Sequence, residues 1–251
     1  ADHVSANYPR FDVEKIYFDA YQQKTSATGE KYPAVSREIN ESINNGIMIF
    51  NYLGHGGENQ LAHERILTKE DISSWSNSDR LPLFMTATCE FTRFDDPGYV
   101  SAGEKVFLKP DGGSIASFST TRVVYANQNF QLNQAFYNYV FNKTNEGQPY
   151  RLGDIVRLTK NYAGTDDNKR NFSLFGDPAL QMLTGTRSVH TDSMIREQAS
   201  AIDTMRALDR VTIHGSIRGT QGHVRKSYNG IVHMKLYDQL RHRATLANDG
   251  G

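Results

Sequence analysis

Three short runs of buried type constrain this chain more than any other feature in it. Residues 47–53, 81–88 and 114–119 each stop abruptly at a polar or glycine-rich turn. The turns are Gly54-His55-Gly56-Gly57, then Cys89-Glu90, then Thr120-Thr121-Arg122. Apolar runs of this length bounded by turn residues read as buried strands. Helical patterns lie between them. Pro33 stands where a first helical turn tolerates it, Val35, Ile39 and Ile43 form one apolar stripe, and Gly46 can close the helix. Thr68 and Asp71 make a capping box for a short helix through Trp75. Further helices are expected over about 129–141 and 151–162, followed by the segment 172–175 and a Gly176-Asp177-Pro178 turn. At the start, residues 15–21 alternate as a strand would.

Strand and helix therefore alternate from residue 15 to about 183, the pattern of an α/β layer architecture with a largely parallel sheet. Crossovers in such sheets are right-handed, so successive strands run the same way and end on one edge. Composition shifts near Gly185. Residues 186–204 are polar and lack aromatic side chains, which reads as a linker or a solvent-facing helix. Alternation then resumes over 211–217 and 231–237, as in the first strands of an antiparallel β domain. The expected organisation is an α/β domain over 1–185, a linker over 186–204 and a partial β-sandwich over 205–251.

Composition excludes several classes of function. Lys plus Arg equals Asp plus Glu at 28 each, so no basic stripe for nucleic acid or an anionic membrane surface is expected. No apolar run approaches the length of about 20 residues that spans a bilayer, and no signal-peptide pattern opens the sequence. There is one cysteine, Cys89, which rules out an internal disulfide and a cysteine-rich metal site.

A single Cys is either a small buried hydrophobe or a reactive thiol. Its placement separates the two. His55 follows one buried run and Cys89 follows another, so a parallel sheet brings both to the edge where ligands bind. Thiol catalysis needs that pairing. An imidazole takes the thiol proton and later protonates the leaving amine. Gly56 and Gly57 can both present oxyanion donors, because glycine lets a carbonyl oxygen approach the backbone closely, and the Cys89 amide is a second natural donor. Gly57, Glu90, Thr120, Thr121 and Arg122 share the edge and can line a substrate pocket, although an ordinary strand-ending turn would also hold such residues. His63 lies in a polar stretch and is expected at the surface.

The ordered series of longer stretches resembles the gingipain-type cysteine peptidases, which share the caspase-like fold. The stretches are Asn51-Tyr52-Leu53-Gly54-His55-Gly56-Gly57, Thr86-Ala87-Thr88-Cys89, Phe94-Asp95-Asp96-Pro97, Gly112-Gly113-Ser114, Thr120-Thr121-Arg122-Val123-Val124-Tyr125 and Leu174-Phe175-Gly176-Asp177-Pro178. Within that family the chain is most similar to the sortases of the type IX secretion system of Bacteroidetes. The resemblance implies a mostly parallel sheet flanked by helices, followed by the start of an immunoglobulin-like β-sandwich. It implies His55 as the catalytic imidazole, Cys89 as the nucleophile, and Gly56 and Cys89 as the oxyanion hole.

The activity implied is removal of a C-terminal targeting domain from secreted cargo, through a Cys thioester, with transfer of the new carboxyl end to an amine of lipopolysaccharide. The implied partners are the cargo, a β-barrel shuttle protein of the outer membrane and the other components of the attachment complex. No nucleic acid is implied, and the location is the cell surface, attached to the outer membrane. The chemistry needs no cofactor. Gingipain relatives bind calcium, but no Asp-rich loop stands out, so no metal ligands are assigned. The acid that orients the imidazole in gingipains, and their feature that selects Arg or Lys, have no recognisable counterpart. The competing reading is a catalytically silent caspase-like scaffold that binds the cargo signal and docks secretion partners.

Overall fold

A computed structural model describes residues 1–27, 29–182, 185, 187–197, 201–219, 221–232, 234 and 236. The chain divides into two compact units, one over Ala1–Met182 and one beginning at Leu183. In the first unit, a short helix α1 (Asp2–Asn7) and a hairpin of β1 (Lys24–Ser26) with β2 (Gly29–Lys31) precede helix α2 (Pro33–Asn45). Strand β3 (Ile49–Leu53) follows, then the β4 (Gln60–Leu61) and β5 (Leu67–Thr68) hairpin, α3 (Lys69–Ser74) and β6 (Leu83–Ala87). Next come α4 (Ala102–Leu108), β7 (Ala116–Thr120), α5 (Ala126–Val140), α6 (Leu152–Tyr162) and β8 (Phe172–Phe175).

Local chemistry explains these elements. Val35, Ile39 and Ile43 are buried along α2, and Gly46 ends it at φ 94°, with its N–H bonded to the Ser42 and Ile43 carbonyls. The capping box of Thr68 and Asp71 opens α3, and Ser101 with Glu104 makes a second one at α4. Strands β6 and β7 are buried at every position, as expected of parallel strands covered on both faces.

The central sheet has the order β3-β6-β7-β8. Its first three strands are parallel, and β8 runs antiparallel to β7. One antiparallel strand beside three parallel ones fits the expected mostly parallel sheet. The two sheet faces carry separate cores. Phe50, Tyr52 and Phe84 pack with α2, α3 and α4, through Ile39, Ile72 and Val106 among others. Leu83, Met85, Ala87 and Phe118 pack with α5 and α6, through Leu132, Phe136 and Ile155. Alternation along each strand divides these sets.

Residues 15–21 are not a strand; they form extended coil and one 3-10 turn, Phe18–Ala20. Ile16, Phe18 and Tyr21 pack against the first core with no strand beside them, so packing, not pairing, uses their alternation. In the second unit, residues expected as linker or helix include strand β9 (Ser188–Arg196). It pairs antiparallel with β10 (Ala201–Ile202) and β11 (Val211–Arg218) in the order β10-β9-β11. The expected strand over 231–237 falls partly outside the described residues, and positions 231, 232, 234 and 236 show no strand.

Candidate active site

The three parallel strands end on one edge, and their following turns build the site. The last paired residues of β3 and β6 are Leu53 and Ala87. His55 and Cys89 each lie two residues beyond that pair, on strands spaced about 4.8 Å apart. The Gly54 N–H continues the ladder one step further, to the Ala87 carbonyl at 3.4 Å. The register itself therefore faces the imidazole turn with the thiol turn.

The thiol is partly buried and unpaired. Its Sγ donates to the Val124 carbonyl at 3.6 Å. That carbonyl is held from both sides: Asn171 donates to the Val123 carbonyl at 2.9 Å, and the Tyr125 N–H donates to Asn168 Oδ1 at 2.8 Å. The His55 ring is exposed and stacks obliquely on His63, with centroids 5.4 Å apart. Imidazole and thiol share the edge without a hydrogen bond between them. Such contacts commonly close only when substrate arrives. The His55 backbone is well anchored, since its carbonyl accepts from the Tyr52 hydroxyl at 2.6 Å and from the Ala62 N–H at 2.8 Å.

Both expected oxyanion donors are free of acceptors among the described residues. Gly56 pairs with Leu61 in a bridge whose hydrogen bonds run through His55 and Gly57, so its own N–H is unused. The Cys89 N–H likewise has no acceptor among the described residues. Gly56 is required by close packing, because a Cβ there would lie 2.5 Å from Thr88 Oγ1 and 3.1 Å from the Gln60 carbonyl. Gly57 has open space around it, but its N–H is committed to the Gln60 carbonyl at 3.1 Å.

The other expected pocket residues divide by burial. Glu90 is half-buried and adopts φ 50°, a left-handed conformation that turns the chain directly after the nucleophile. Thr120 is fully buried, which corrects its assignment to the pocket wall. Its hydroxyl donates to the Thr88 carbonyl, so it supports the nucleophile turn from beneath. Thr121 is nearly buried and donates its hydroxyl to the Asn171 carbonyl at 3.2 Å. Arg122 is exposed, but its guanidinium is committed to Asp95, at 3.0 Å from Nη1.

That pair belongs to a chain of charges with no local sequence signal. Glu58 pairs with Arg93 at 2.6 Å, Arg93 reaches Asp95 at 3.9 Å, and Asp95 pairs with Arg122. The three turns of the site are thereby laced together. The Arg122 guanidinium holds the Asp95 carboxyl below the usual carboxylate range, and Glu58 raises Arg93 above its ordinary value. Exposed pairs of this kind add little stability. Their consequence is that the Asp95 carboxylate is already neutralised by a cation of the protein. Among the described residues no group of three or more His, Cys, Asp or Glu is placed to hold a metal ion. No described helix is long and apolar enough to cross a membrane.

Comparison with known proteins bears on the fold and the family. Among solved structures, the crystal structure of the Arg-specific cysteine proteinase gingipain R matches with a TM-score of 0.53 at 19% identity. The match covers 64% of this chain and 40% of that one. The complex of the pro- and mature domains of RgpB from Porphyromonas gingivalis gives a TM-score of 0.51 at 19% identity, with the same 64% and 40% coverage. The fold is thus that of the gingipains, caspase-like, and the chain spans 40% of the length of these relatives. No curated protein sequence matches the chain. The sequence model of peptidase family C25 matches residues 1–183, well over half the chain. The chain belongs to peptidase family C25.

Proposed function

We propose that this chain is a thiol endopeptidase and acyltransferase in which Cys89 is the nucleophile and His55 the proton carrier. The observation that supports this most strongly is the parallel β3–β6 register. It faces the two turns and leaves the Gly56 and Cys89 amides unbonded beside them. In the reaction, His55 takes the Sγ proton and the thiolate adds to the scissile carbonyl carbon. The two N–H groups hold the resulting oxyanion. The C–N bond then breaks, the amine leaves with the proton from His55, and a thioester remains on Cys89. Water or an amine resolves the thioester, according to which is held closer.

The family and the order of the motifs along the chain favour a finer reading, a PorU-type sortase of a type IX secretion system. Its substrates are secreted cargo proteins bearing a C-terminal targeting domain, and its acyl acceptor is an amine of cell-surface lipopolysaccharide. The site of action is the outer surface of the outer membrane, beside the β-barrel shuttle protein and the other attachment components. The test uses a peptide spanning the junction of such a targeting domain, an aminated glycan, and mass spectrometry of the new carboxyl end. Amide product should rise with amine concentration while total cleavage stays constant. Free acid alone at every amine concentration, with partners present, reduces the protein to a plain peptidase.

A further inference from the structure

Beneath the nucleophile turn lies a cluster of buried hydroxyls that the chemistry above does not use. Thr86, Thr92, Ser119 and Thr120 are fully buried, and Thr88 is 1% exposed. The Thr86 and Ser119 hydroxyls lie 2.5 Å apart, and Thr92 donates to Ser119 Oγ at 2.9 Å. Thr120 alone turns its hydroxyl onto the backbone, at the Thr88 carbonyl.

The choice of acceptor matters. The Thr88 C=O and the Cys89 N–H belong to one peptide unit. That unit is planar and trans, so its C=O and N–H point in opposite directions, and fixing one aims the other. Further stitches hold the same turn to the end of β7: the Glu90 N–H donates to the Arg122 carbonyl at 3.2 Å, and the Thr92 N–H to the Thr120 carbonyl at 2.9 Å. The Thr88 side chain, meanwhile, presses on Gly56. Its hydroxyl has no hydrogen-bond partner, and a Cβ on Gly56 would meet its Oγ1 at 2.5 Å and its Cγ2 at 3.3 Å. One residue therefore references both oxyanion donors to each other, and Thr120 holds that residue.

We infer that Thr120 is a positioning residue for acyl transfer: through the Thr88 carbonyl, its hydroxyl aims the Cys89 N–H at the oxyanion. The inference rests on the reading of Cys89 as the nucleophile. It differs from a purely structural role, because misaiming an oxyanion donor slows only reactions that pass through a tetrahedral oxyanion.

Two probes on the full chain separate the roles. With p-nitrophenyl acetate, Sγ adds to the carbonyl, nitrophenolate leaves, and an acetyl thioester forms on Cys89. With iodoacetamide, Sγ displaces iodide at a saturated carbon, and no oxyanion arises. Thr120→Val keeps the side-chain shape and removes the donor, whereas Thr120→Ser keeps the donor. Rates are normalised to the folded fraction from thermal melts. Thr120→Val should slow nitrophenolate release about tenfold, short of the 10²–10³ lost with a whole donor. Its alkylation rate should stay within about twofold, and Thr120→Ser should restore release. If Thr120→Val will not fold, the same comparison is made with Thr120→Ala against Thr120→Ser. Unchanged release, or a parallel fall in both rates, overturns the inference. Wild-type release no faster than that of Cys89→Ala overturns the nucleophile assignment itself, and the inference with it.

Discussion

Removing one oxygen from Tyr52 tests how the imidazole turn is held. The Tyr52 ring is 8% exposed, and its hydroxyl donates to the His55 carbonyl at 2.6 Å. In Tyr52→Phe that carbonyl still accepts from the Ala62 N–H at 2.8 Å, so no acceptor is orphaned. The cost is one net hydrogen bond, about 0.5–1.5 kcal/mol. For a unit of this size that lowers Tm by about 1–6 °C. The sign then changes with pH. Burial raises the Tyr52 phenol above its ordinary value of 10.0, so the unfolded chain loses this proton first. Wild-type stability from this group is fully present below pH 10 and is lost as pH rises above it, at up to about 1.4 kcal/mol per unit. Tyr137, also raised by burial, is common to both proteins and cancels. Denaturant titrations should find Tyr52→Phe the weaker protein at pH 7 and the stronger one well above pH 10. A constant difference from pH 7 to 11, or none at pH 7, refutes the reasoning.

Three further outcomes follow from the same contacts. In His55→Ala, Cys89 should react with iodoacetamide several-fold more slowly than wild type at neutral pH, because the proton acceptor is gone; equal rates over pH 5–8 remove His55 from the mechanism. Gly56→Ala places a Cβ 2.5 Å from Thr88 Oγ1 and must displace an oxyanion amide, so kcat should fall by about 10²–10³ with KM little changed; a raised KM with normal kcat would place Gly56 in substrate binding alone. Asn77 spans both backbone groups of Gly113, donating to its carbonyl at 3.0 Å and accepting from its N–H at 2.8 Å, all buried. Asn77→Ala should therefore cost about 2–4 kcal/mol in denaturant unfolding, and a loss below about 0.5 kcal/mol contradicts that accounting.

Much of the fold is legible in periodicity. The stripe of Val35, Ile39 and Ile43 marks α2, the Thr68–Asp71 box marks α3, and short runs of apolar and small residues bounded by turns mark β6 and β7. Direction is not encoded that way, and the segment 172–175, read only as leading into a turn, is a strand that runs antiparallel to β7. Alternation at residues 15–21 misleads because a strand needs a partner, and the core takes those side chains without one. Strand β9 is missed for the opposite reason: it is largely exposed on both faces, and its alternation has no apolar contrast. At the site, His55, Gly56 and Cys89 are legible because each lies just past a strand. Tyr52 is not, since a tyrosine in a strand reads as core until the chain returns to its hydroxyl. The Glu58–Arg93–Asp95–Arg122 chain and the inward turn of Thr120 depend on loops that meet only in three dimensions.

The central claim, covalent catalysis by Cys89 on this edge, is tested most directly by trapping the intermediate. A peptide spanning a targeting-domain junction is mixed with the protein, quenched in acid within the first turnover, digested, and read by mass spectrometry. The account predicts the amino-terminal fragment of the substrate attached as a thioester to the peptide containing Cys89, with both adduct and cleavage absent from folded Cys89→Ala. Cleavage at the wild-type rate by folded Cys89→Ala would contradict it.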